Sequence, residues 1–175
     1  TWEALARTAI PLLWPGDVLD IASGDGVLAE LLAPHAHRYV CIDSSQRVVA
    51  AASERLRRYG NVEVREGDMH ALPFDDESFD LVVLMHALTY AARPAQAVAE
   101  AARVLRKGGR LLLSSLARHE HRAVVDAYGH INLGFGEKDL RKFAEKAGLS
   151  IANCGTVTRE RRPPHFEVIS LTGIK

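Results

Sequence analysis

The segment Leu19-Asp20-Ile21-Ala22-Ser23-Gly24-Asp25-Gly26 sets two glycines directly behind a short apolar run. Glycine lets the backbone approach a ligand with no Cβ in the way. The helix start that follows offers unpaired N–H groups to an anion. A dinucleotide turn would want glycines at its first, third and sixth positions, where this chain has Ala22, Gly24 and Val27, and Val27 argues against it. A phosphate loop is excluded, because no Lys-Ser or Lys-Thr pair follows. A smaller ligand with a carboxylate and a ribose fits better. Asp43 lies about twenty residues past the turn, the spacing of a carboxylate that accepts ribose hydroxyl protons. It could also only start the helix at Ser44-Ser45. Asp68, inside Gly67-Asp68-Met69, can take the exocyclic amine of an adenine while Met69 covers the ring. Its bland alternative is an Asx turn, and that of Met69 is ordinary core.

The elements that must position these residues follow from the turn signals. Trp2 to Leu13 reads as a helix stopped at Pro15-Gly16. Strands are expected at Asp17 to Ala22, Tyr39 to Asp43, Val62 to Arg65, Phe79 to Met85 and Arg110 to Ser114. Helices are expected between them at Val27 to Ala33, Ser45 to Tyr59 (closed by Gly60-Asn61) and Pro94 to Leu105. Strand–helix alternation implies a parallel sheet covered on both faces. The apolar run at Asp80 to Met85 fits a strand buried on both faces. After the helix Glu137 to Ala147, two strands at Leu149 to Thr158 and Phe166 to Thr172 read as an antiparallel hairpin at the sheet edge. The fold class is α/β: a Rossmann-like doubly wound, mostly parallel sheet of about seven strands in a three-layer α/β/α arrangement.

Composition bounds the rest. The 175 residues, 47% of them hydrophobic, make one domain over 1–175 with a sizeable core. The 22 basic and 22 acidic side chains cancel, so direct nucleic-acid contact is not expected of this domain. Cys41 and Cys154 are far apart and form no CxxC pair, which disfavours a zinc site or disulfide framework and suits a cytoplasmic location. No apolar run approaches the roughly eighteen residues of a membrane span. His119, His121 and His130 lack acidic or cysteine partners at ligand spacing, so no metal is expected. The start at Thr1 reads as a domain cut from a longer protein with an N-terminal domain.

These residues, taken in order, resemble the class I S-adenosylmethionine-dependent methyltransferases over most of the chain. The resemblance rests on Asp20 with Gly24 and Gly26, Asp43, Gly67-Asp68, Phe79-Asp80, and Leu105-Arg106-Lys107-Gly108-Gly109. Two departures stand out. Ala22 replaces the family's first glycine, which a negative φ there would tolerate, and Lys107 replaces a proline. More loosely, Trp2-Glu3-Ala4-Leu5, Tyr90 and His130-x-x-Leu133-Gly134-Phe135 resemble methyltransferase domains fused behind arsenic-repressor-type winged-helix regulators, which would place a DNA-binding part before Thr1.

The resemblance implies S-adenosylmethionine as cofactor. It places Asp20, Ala22, Ser23, Gly24 and Gly26 around its methionine and ribose, Asp43 and Ser44 at the ribose, and Asp68 with Met69 at the adenine. Leu84 and Met85 would lie below the methionine portion. Methyl transfer from a sulfonium is an in-line displacement that mainly needs near-attack geometry. His86 and His130 are the candidate bases and Tyr90 an orienting hydroxyl; a packed, hydrogen-bonded core histidine is the plainer reading of His86. The partner implied is a small-molecule methyl acceptor, with a homodimer or an attached winged-helix domain left open. The alternative is a sensor that binds S-adenosylmethionine or its demethylated product and biases an attached regulator without turnover.

Overall fold

In a computed structural model of the chain, the described residues are 16–123, 127, 129–161 and 165–175. The helix expected at Trp2 to Leu13, and Arg162, Pro163 and Pro164 of the expected Arg159 to His165 turn, lie outside them. Seven strands form one sheet: β1 Asp17–Ile21, β2 Arg38–Asp43, β3 Val62–Glu66, β4 Phe79–Met85, β5 Leu105–Leu116, β6 Ser150–Arg159 and β7 Glu167–Ile174. Their order is β3-β2-β1-β4-β5-β7-β6. The first five are parallel, and β7 runs antiparallel to both β5 and β6. The helices are α1 Val27–Leu32, α2 Gln46–Leu56, α3 Pro94–Val104 and α4 Glu137–Lys146.

Strand alternation builds two cores, one on each face of the sheet. Leu19, Ile21, Val40, Ile42, Val82 and Leu84 point to the face covered by Ala97, Val98, Ala101, Leu140 and Ala144 of α3 and α4. Val18, Tyr39, Cys41 and Val83 point to the other, against Ala29 of α1 and Ala52 and Leu56 of α2. This is the period-two rule of a strand, and it puts Asp20 on the same face as Val18.

Three boundaries differ from the sequence expectation. Helix α2 ends at Leu56, so Gly60-Asn61 does not cap it. Instead Asn61 Nδ2 donates to the carbonyls of Ala33 (2.8 Å) and Ala36 (3.0 Å), joining two loops. Strand β5 begins at Leu105 rather than Arg110, with the residues between bulged out: Leu105 pairs with Phe79, and Arg110 pairs with Leu81. That bulge aims Arg106 at Asp80 Oδ2 (2.8 Å) and Asp17 Oδ2 (3.0 Å), and Asp80 Oδ2 also accepts the Asp17 N–H at 2.8 Å. Asp80 of the Phe-Asp pair therefore ties three strand starts together at the end of the sheet remote from the glycine turn. Helix α1 ends at Leu32, one residue short of the expected Ala33, and runs straight into a 3-10 turn at Ala33–His35.

Candidate functional site

The chain runs outward from β1 through β2 to β3, then returns to begin β4 on the other side of β1. In such a sheet ligands bind beyond the carboxyl ends of the strands at this reversal. A pocket of about 110 Å³ lies there, lined by Ile21 and Ala22 after β1, Ile42, Asp43 and Ser44 after β2, Gly67 to His70 after β3, and Tyr90. Backbone contacts clip its walls together. Gly24 N–H donates to Asp43 Oδ2 (3.2 Å), Ser45 N–H to Asp43 Oδ1 (3.0 Å), and Ser23 N–H to the Ile42 carbonyl (3.2 Å). Asp43 thus holds the amide of Ser45, just before α2, and anchors the glycine turn at once. A carboxylate offers about four lone-pair sites, so these two bonds leave acceptor capacity toward the pocket.

The glycine turn departs from expectation at Ala22. Its φ is +55°, not negative, so an alanine occupies the left-handed region where a Cβ costs roughly 1–2 kcal/mol. Gly24 has φ +59°, and a Cβ there would meet nothing within 4 Å, which leaves room for a ligand against that backbone. Gly67 is required by a close approach: a Cβ would lie 2.4 Å from Ile42 Cδ1.

Asp20 is not on the pocket wall. It is 2% exposed, and Tyr39 Oη donates to its Oδ2 at 3.0 Å. Burial raises its pKa to about 7; the Tyr39 hydrogen bond opposes the rise and the Asp43 charge adds to it. Burial, and then Asp20, likewise push the neighbouring Cys41 thiol up to about 12, so this cysteine stays protonated. Leu84 is fully buried, in the core beneath the site. Met85, the last residue of β4, is 39% exposed, with Ser114 Oγ 3.5 Å from its sulfur.

On the β3 side, Asp68 makes the Asx turn. Its Oδ1 accepts the His70 N–H at 2.8 Å and faces His70 Nδ1 at 2.7 Å. These contacts, backbone first, hold the Asp68 carboxyl below the usual range, and neither uses Oδ2. Met69 packs against the core from beneath the pocket.

The β4 side brings His86, Tyr90 and His130 together. His86, directly after β4, has φ +58°, another left-handed non-glycine residue of the kind that gathers at functional sites. Its N–H donates to the Ser114 carbonyl (2.9 Å), and its carbonyl accepts from Thr89 Oγ1 (2.6 Å). Burial and then nearby His130 lower the His86 pKa, while Glu160 acts in the opposite direction. The Tyr90 and His130 rings meet edge to face at 5.0 Å. Sequence reasoning missed Asn132, which secures this pairing. Its Nδ2 donates to the carbonyls of Leu88 (2.9 Å) and Ala91 (2.8 Å), and the N–H groups of Ile131 and Asn132 both reach the Thr89 carbonyl. It also missed Tyr39 and His70, whose partners lie on other strands and loops. Among the described residues, no group of three His, Cys, Asp or Glu side chains is placed to hold a metal ion.

Comparison with known proteins gives this arrangement a context. Residues 19–113, more than half of the chain, match the family described as "Methyltransferase domain". An uncharacterised 37.1 kDa protein of a Streptomyces fradiae transposon is 44% identical over 104 residues, 57% of this chain and 30% of that protein. The uncharacterised methyltransferase YcgJ of Bacillus subtilis is 32% identical over 117 residues, 66% of this chain and 46% of that protein. The chain therefore spans less than half the length of either relative. Among solved structures, a putative methyltransferase of Bacillus halodurans superposes with a TM-score of 0.81 at 24% identity, covering 99% of this chain and 98% of that one. At that identity the likeness speaks for the fold.

Proposed function

The chain belongs to the methyltransferase domain family, and from that premise we propose that it binds S-adenosylmethionine in the pocket at the β1–β4 reversal and transfers its methyl group to a small-molecule acceptor beside His86 and His130. The single observation that carries this reading is the pocket wall itself, where Ala22 after β1, the Asp43 carboxylate after β2 and Asp68 after β3 converge, with open space beside the Gly24 backbone that Asp43 holds. The donor set suits the cofactor. Asp43 accepts from the ribose hydroxyls with its remaining lone pairs, and Asp68 Oδ2 accepts from the adenine amine. Met69 covers the ring, and Ala22, Ser23, Ser44 and Met85 complete the cradle. Gly26 holds the turn open into α1. Asp20 acts from behind, fixing the turn through Tyr39, and Leu84 supports the floor from the core.

When bound, S-adenosylmethionine supplies an electrophilic methyl group on sulfur. The protein's part is orientation and proton removal. The exposed Met85 and Tyr90 face the acceptor side, and His86, kept neutral near pH 7 by its lowered pKa, can take the acceptor's proton directly or share it with His130. Tyr90 orients the acceptor through its hydroxyl. A neutral base of this kind suits proton removal at neutral pH.

Titration of S-adenosylmethionine into the protein, repeated with Asp43→Ala, tests the reading. Binding that the substitution weakens at least tenfold, a loss of about 1.4 kcal/mol, is the expected result. No binding by the wild-type chain overturns it.

A further inference from the structure

His70 reaches from the pocket to the start of α3, and both of its ring nitrogens are engaged. The Arg93 backbone N–H donates to Nε2 at 3.2 Å. An amide nitrogen can only donate, so Nε2 must present its lone pair. The proton of the neutral ring therefore sits on Nδ1, where it donates to Asp68 Oδ1 at 2.7 Å. Geometry alone assigns the tautomer. The His70 carbonyl is held as well, by Gln96 Nε2 at 2.8 Å from the first turn of α3. The side chain is 11% exposed, against 60% for Asp68. Arg93 is the residue that opens α3, and no side chain caps that helix start; the His70 ring occupies one of the amides there. Three residues earlier the chain is Tyr90, which lines the same pocket as His70 and meets His130.

We propose that His70 is a positioning residue that joins the β3 loop carrying Asp68 to the turn carrying Tyr90, so that occupation of the cofactor pocket orders the acceptor side. The proposal rests on the cofactor reading above. With Oδ1 of Asp68 taken up by the His70 amide and ring, Oδ2 is the oxygen turned to the ligand. A ligand that fixes Asp68 thereby fixes the ring, and the ring fixes the Arg93 amide and the turn before it. Spatial intermediacy is not itself coupling, so the test must read the far end.

Two substitutions divide the link. The side-chain amide of His70→Asn reaches Asp68 but not Arg93, whereas His70→Gln reaches Arg93 and leaves Asp68. Hydrogen exchange is followed at the amides of residues 67–70 and 87–93 with and without S-adenosylhomocysteine. In the wild type, the ligand should slow exchange at least threefold in both segments. In His70→Asn and His70→Gln it should still slow 67–70, while the effect on 87–93 falls below 1.5-fold. A merely structural histidine would raise exchange in both states and leave the ligand-induced difference intact, which refutes the proposal. Nitrogen-15 spectra of the imidazole supply a ligand-independent check: a proton on Nε2 instead of Nδ1 also refutes it. Absence of binding by the wild type would overturn the cofactor reading, a different result from binding that protects 67–70 alone, which overturns only the link.

Discussion

Replacing Ala22 by glycine should stabilise this protein, although glycine is ordinarily the less stable choice. The alanine is held at φ +55°, and relief of a left-handed Cβ is worth roughly 1–2 kcal/mol. Two effects oppose the gain. Glycine widens the unfolded ensemble, at about 0.4–1 kcal/mol. The lost methyl is also half-buried against the core, worth about 0.4 kcal/mol as half of one buried methylene. The balance is a net stabilisation of about 0.5 kcal/mol, or roughly 1–2 °C in melting temperature for a domain of this size. The matched control is Ala51→Gly on the exposed side of α2, where glycine should destabilise by about 1 kcal/mol. Urea unfolding of both variants reads the difference as a shift in midpoint at constant slope. Opposite signs, separated by about 1.5 kcal/mol on these two figures, are expected. Equal destabilisation at both positions would refute the left-handed assignment of Ala22, and with it the account of how the turn meets the pocket.

Other outcomes follow from the buried and paired groups. The folded-state pKa of Asp20 is raised to about 7 from an ordinary 3.8, so its contribution to stability is fully present below pH 4 and is lost as pH rises to about 7. Unfolding midpoints at pH 5 and pH 8 should therefore fall less in Asp20→Asn than in the wild type; an identical pH dependence would contradict the burial argument. Asp80→Ala removes the acceptor of the Asp17 amide and of Arg106 and should cost about 1–3 kcal/mol of stability. It should leave S-adenosylmethionine affinity within twofold in calorimetry, because these bonds lie at the opposite end of the sheet. His130→Gln should raise the His86 pKa while leaving it below the ordinary value, since burial is the larger cause and remains. A proton NMR titration showing no change, or a fall, would mean that the two rings do not interact.

The order of elements was legible in the sequence because it rests on local signals. Glycine and proline punctuation, apolar runs and the helical stripe of Leu140 and Ala144 depend only on neighbours along the chain. That Asp43 and Asp68 would lie past the carboxyl ends of β2 and β3, near the glycine turn, was legible too, because these positions follow from strand ends and spacing. What the chain does with its longer-range pairs was not. Whether Asp20 faced the ligand or the core was decided by the parity of β1 and the register Asp20↔Cys41, which sets it beside Tyr39. The sign of φ at Ala22 came from the path the turn must take between β1 and Asp43. His70 had no signal of its own, since its two partners lie on either side in the chain, and only folding brings Arg93 onto its ring. Composition and spacing thus determined the elements and the candidate ligand edge of the sheet, whereas tertiary packing decided which side chains reach that edge, because orientation is set by partners far away in sequence.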